Sequence, residues 1–134
     1  LHDMWITAHS DMPFSSSRFS KFGERFCYLK IDGSEGLDDS LFADKGDIED
    51  ALDDALRPRG LGCFVGGGTG LRYAYVDLAL TDFVSAVPVI RSVLCEGRLP
   101  IRSCIQFFDS AWKNEWIGIW DDSPPPPMVE QADA

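Results

Sequence analysis

The chain has 134 residues, 45% hydrophobic and 12% aromatic, with a net charge of −10. That length and apolar content fit one globular domain with a real core, and the longest apolar runs, such as 87–90, fall far short of the roughly 20 residues a membrane helix needs. Strong acidity speaks against nucleic acid, whose phosphates it would repel, and without a basic-then-apolar leader the expected location is cytoplasmic.

Residues 1–25 hold a short apolar stretch at 4–7 and then Ser15, Ser16 and Ser17. They read as an extended arm. His2 and His9 both fall in it, and His9 with Asp11 offers only a thin case for metal or acid–base chemistry. The domain proper is expected over 26–120. Residues 26–32 alternate Cys27, Leu29 and Ile31 against Phe26, Tyr28, Lys30 and Asp32, which is the two-residue period of a strand. Acids are then concentrated: between 32 and 54 there are ten against Lys45 alone, a local −9. The Asp32–Gly33–Ser34–Glu35–Gly36 stretch lacks the residue order of an EF-hand loop.

Ile48, Ala51, Leu52, Ala55 and Leu56 follow the i, i+3, i+4, i+7 pattern, so the spacing predicts a helix over 47–56. Asp47 is the expected cap, and Pro58 and Gly60 are the stop. Asp50, Asp53 and Asp54 fall opposite the apolar stripe. With Asp47 they form a candidate acidic docking surface for a basic protein partner. The bland alternative is a solvated helix face.

Strands are expected over 62–65 and 71–80, with the glycines of 66–70 as the hairpin turn between them. The glycine run is not a phosphate loop. It lacks Gly-Lys-Ser/Thr and leads into a strand, where a dinucleotide fingerprint would lead into a helix. Thr81 and Asp82 can cap a helix over 83–96, carried by Phe83, Val87, Ile90 and Leu94. Pro88 inside it predicts a start nearer Ser85 or a bend, and Gly97 is a good stop. A strand follows at 102–108, then a tryptophan-rich segment with a fifth strand over 115–120. Residues 121–134 open with Asp121, Asp122 and Ser123, followed by four prolines, and favour an extended, disordered tail.

The order βαββαβ is that of a ferredoxin-like α+β two-layer sandwich: an antiparallel sheet, two helices on one face, and an extra C-terminal strand. The topology implies no particular chemistry. Leu29, Ile31, Val76, Leu78, Ile105 and Phe107 are expected under the helices. The other sheet face then carries Phe26, Tyr28, Lys30, Tyr73, Tyr75, Asp77, Gln106 and Phe108. Aromatic side chains on two central strands resemble the base-stacking platform of RNA recognition domains, but the RNP1 pattern is missing and the molecule is acidic. Such a face should not stay wet in a monomer. It can bind a second copy, be covered by the tryptophan segment or the N-terminal arm, or line a small-molecule pocket.

Cys27, Cys63, Cys95 and Cys104 form no C-x-x-C pair, which predicts four reduced thiols and no zinc site. No cofactor is implied. The expected function is therefore a small non-enzymatic binding or regulatory domain, acting through Tyr28, Lys30, Tyr73, Tyr75, Asp77, Gln106 and Phe108, as a homodimer or with a small ligand. One alternative is an inhibitor or immunity-type protein that docks a basic partner through 32–54. Another is a dimeric α/β-barrel enzyme with a pocket on the same face, where Asp77 or Asp32 would supply a carboxylate.

Overall fold

The computed structural model describes residues 24–32, 37, 40–69, 73–112 and 115–126. Its elements are β1 (Arg25–Asp32), α1 (Lys45–Leu56), β2 (Gly62–Thr69), β3 (Tyr73–Leu80), α2 (Phe83–Glu96), β4 (Cys104–Phe107) and β5 (Trp116–Gly118), with a 3-10 turn at Ser110–Trp112. The five strands form one antiparallel sheet in the order β2-β3-β1-β4-β5. The fold is thus α+β, with two helices against an antiparallel sheet. No helix among the described residues is long and apolar enough to cross a membrane.

Alternation decides which side of the sheet the core occupies. Cys27, Leu29 and Ile31 of β1, Val76, Leu78 and Leu80 of β3, and Ile105 and Phe107 of β4 meet Ile48, Leu52 and Leu56 of α1 and Ala86, Ile90 and Leu94 of α2 in one buried cluster. Each large aliphatic side chain in it removes enough apolar surface to contribute roughly 1.5–3 kcal/mol. Trp112 and Trp120 join the same side. The Trp112 ring packs 5.0 Å from Phe107 and 6.3 Å from Phe83, and the Trp120 indole donates to the Leu99 carbonyl at 2.7 Å. Trp112 and Trp120 therefore close the helix-side core, while Trp116, paired with Gln106, falls on the opposite sheet face.

Four local expectations are corrected. The cap of α1 is Asp44, not Asp47: Asp44 accepts from the Asp47 amide at 3.0 Å, while the Asp47 carboxylate accepts from the Ala43 amide at 2.9 Å. This reciprocal pair moves the helix start back two residues, to Lys45, and satisfies amides that helix geometry leaves open. Next, α2 begins at Phe83 and runs through Pro88. Asp82 caps it by accepting from Ser85 at 3.1 Å. Pro88 is exposed, and the Val84 carbonyl that would have received its missing amide belongs to a residue 81% exposed, where water can serve it. Likewise, Gly66, Gly67 and Gly68 are not a turn. They lie within β2, which continues to Thr69 after a bulge between Phe64 and Gly66; residues 70–72 are outside the described set. Finally, the strands expected over 102–108 and 115–120 are shorter, at Cys104–Phe107 and Trp116–Gly118.

At the C-terminal end, Ser123 Oγ accepts from the Trp120 amide at 3.0 Å and donates to the Ile101 carbonyl at 2.6 Å. Asp121 meets Arg91 at 2.7 Å. The start of the proline-rich segment is thus tied to the domain; 127–134 and the 1–23 arm lie outside the described residues.

Substituting Ile90→Ala should lower unfolding stability by about 2–5 kcal/mol through the cavity it leaves, whereas Val84→Ala should shift it by about 0.5 kcal/mol or less. Ser103 Oγ is buried and has no hydrogen-bond partner among the described residues. Ser103→Ala should therefore be neutral or stabilising, since it removes a desolvated hydroxyl that costs about 1–3 kcal/mol. Urea melts of the three variants check all of this; a large loss for Ser103→Ala would contradict it.

Candidate functional site

The sheet face opposite the helices carries the sequence-expected site residues, brought together by register. Tyr28 stands opposite Asp77 on β3 and Gln106 on β4, Lys30 opposite Tyr75, and Asp32 opposite Tyr73. The Tyr28 hydroxyl reaches the Gln106 side-chain oxygen at 3.4 Å. Its ring lies 5.9 Å from Tyr75 in an edge-on arrangement and 5.1 Å from Phe108. The Lys30 ammonium sits 4.1 Å above the Tyr73 ring, a cation–π contact that partly compensates its lost hydration.

This face is largely withdrawn from water. Lys30 is 1% exposed, Asp32 3% and Asp77 5%, with Phe26, Tyr73 and Cys104 also buried. Tyr28, Tyr75, Gln106 and Phe108 remain half-buried. Ionised groups at such depth are rare and need partners, and these three engage in further interactions beyond those named above. Asp32 joins the set although it was not foremost among the expected site residues. Its i+2 spacing from Lys30 on one strand was the available signal.

A second feature was not anticipated. Gly66 pairs with Asp77 and Gly68 with Tyr75, so the edge strand contributes no side chain beside either residue. A Cβ at Gly66 would meet the Asp77 carboxylate at 3.6 Å; one at Gly68 would meet no described atom within 4 Å. Glycine here opens a notch alongside Tyr75, and the notch is visible only once the bulge has set the register.

The acidic set divides by role. Asp47 belongs to the α1 cap, and Asp53 accepts from the Phe64 amide at 2.9 Å and from Arg57 at 3.0 Å. Burial pushes the Asp53 carboxyl up, but these two donors outweigh it and hold the group below its ordinary value of 3.8. Asp50 and Asp54 are exposed. At the far end of β1, Arg25 joins Asp109 at 3.1 Å and lies 4.3 Å over Trp112, clasping β1 to the turn after β4.

The four cysteines are free thiols. Burial, and then the nearby Asp77 charge, push the Cys27 thiol up to about 12. No cluster of three or more His, Cys, Asp or Glu among the described residues is arranged to hold a metal; His2 and His9 lie outside them. No protein-family model, curated protein or solved structure matches this chain.

Two expectations follow. Because the Asp53 pKa is lowered in the folded state, its stabilisation is present above 3.8 and is lost as pH falls through the folded value. Asp53→Asn should cost about 1 kcal/mol near neutrality, and the gap from wild type should close in acid, as read by melts across pH. For Cys27 the raised value keeps the thiol protonated through neutral and mildly alkaline pH, with its stabilising effect lost as pH rises through about 12. Iodoacetamide on native protein should therefore label Cys63 well before Cys27; equal rates would contradict it.

Proposed function

We propose that this chain is a small binding or regulatory domain of ferredoxin-like, split βαβ arrangement, which holds a small ligand against the sheet face opposite its helices. The observation that carries the reading is the concentration there of Lys30, Asp32 and Asp77 at almost no exposure, beside Tyr28, Tyr73 and Tyr75. The apolar core on the other face already supplies the fold's stabilisation. Charged groups buried among aromatic walls are a costly way to fill a second layer, and they are how ligand sites gain specificity. The glycine notch at Gly66 and Gly68 leaves an approach along the edge of Tyr75 and Asp77.

The same burial weighs against a second copy as the occupant. A stable dimer interface draws on roughly 20–30 residues a side, and the described half-buried side chains of this face, Tyr28, Cys63, Val65, Tyr75, Gln106, Phe108 and Trp116, fall well short of that.

The test is an NMR titration of the isotopically labelled full chain with a set of small aromatic and polar fragments. Binding fragments should move the amides of Tyr28, Gly68, Tyr75 and Gln106. Gly68→Leu, which fills the notch, and Tyr75→Ser should each weaken them by about tenfold, or roughly 1.4 kcal/mol. If no fragment moves these amides, or if light scattering finds a dimer that Tyr28→Ser with Tyr75→Ser dissolves, the ligand reading is wrong.

A further inference from the structure

The outer edge of β2 is a second surface, distinct from the sheet face. β2 is first in the strand order, so one side of its eight residues pairs with β3 and, among the described residues, no strand lies beyond the other. The opposite edge of the sheet is blunted: β5 has three residues. Alternate residues of an edge strand turn amide and carbonyl outward, a template for another strand unless something guards it. The guard here is local. Asp53 accepts from the Phe64 amide, and the bulge follows it. Beyond the bulge, Gly66, Gly67 and Gly68 set no side-chain bulk against an approaching backbone, and Gly67 and Thr69 are exposed.

Charge says what kind of strand fits. Lys45, Glu49 and Asp53 recur at i, i+4 and i+8, one row along α1. The row runs beside β2. At one end, Lys45 Nζ lies 3.4 Å from the Tyr75 carbonyl and would meet a Cβ on Gly67 at 3.1 Å. At the other end, Asp53 holds the Phe64 amide. Lys45 and Arg57 are matched within the row by Glu49 at 3.3 Å and Asp53 at 3.0 Å. Asp50 and Asp54, next to it and exposed, give this flank a net negative charge. A second copy pairing through β2 would bring two such flanks together and be opposed by like charge.

We infer that the β2 edge takes up an extended, lysine- or arginine-bearing segment of a partner protein as a sixth strand, its main chain pairing with β2 and its basic side chains lying under the acidic flank of α1. Main-chain pairing supplies affinity and the alternating side chains supply selectivity, as in other strand-addition complexes. Asp53 would release the Phe64 amide only if the added strand reached that far, so the natural footprint is the glycine half of β2.

The test uses a short peptide of alternating lysine and valine, an N-methylated copy that cannot donate to a ladder, and a glutamate–valine counterpart. Bound to the full chain, the first should move and protect the amides of residues 66–69. It should weaken about tenfold in Asp50→Lys/Asp54→Lys, both surface changes, and again as salt rises. The N-methylated and glutamate peptides should not bind. Equal binding of the N-methylated copy would reduce the contact to loose charge attraction and overturn the proposal, as would shifts away from β2, no binding, or a salt-resistant dimer of the chain alone. Tyr75→Ser, on β3, separates this surface from the sheet-face ligand site: it should weaken fragment binding about tenfold while leaving the peptide's backbone contact in place.

Discussion

β1 is held by neighbours on both edges, pairing over its whole length with β3 and over four positions with β4. Its side chains alternate between an apolar set and a set containing Lys30 and Asp32. The period of a strand is two, so a slip of one residue would drive the ammonium and the carboxylate into the helix-side core and turn Leu29 and Ile31 outward. Burying an ionised group without its partners costs several kcal/mol. The register of the middle strand is therefore specified twice, by what belongs in the core and by what cannot enter it. The packing of both helices and the meeting of the tyrosines follow from that register.

The acidity of the 32–54 region has a comparable division of labour. Asp44 and Asp47 close the N-terminus of α1, and Asp53 ties that helix to the edge strand it covers. These carboxylates hold backbone amides that would otherwise be left open. Asp50 and Asp54 have no such duty in the contacts described and set the field of the surface. A local charge of −9 is thus partly architecture and partly an external feature.

Most of the fold was legible in the chain. The alternation over 26–32 and 73–80 and the apolar stripe of 48–56 each match an element and the face it buries, because period and burial are linked in a regular element. The glycine run was not legible. Five residues of Gly-Gly-Gly-Thr-Gly carry no periodicity, and turn chemistry is the natural reading, yet pairing with β3 and a bulge draw three of those glycines into the ladder. Asp47 was the expected cap; Asp44, three residues earlier, takes that place through a reciprocal pair of hydrogen bonds.

The residues of the candidate site lie on one face because they share a strand parity. Their environment does not follow from it. Whether Lys30 sits at a wet surface or at 1% exposure depends on what lies over it, which parity does not encode. The sequence by itself determined the class of fold, the apolar face of every long element and the location of the excess charge, all local properties of pattern and composition. The tertiary structure alone decided the depth at which Lys30, Asp32 and Asp77 lie, the notch that Gly66 and Gly68 open, and the alignment of the Lys45, Glu49 and Asp53 row of α1 with a strand edge that no other described strand pairs. Each of these arises from segments far apart in the chain, brought together by packing.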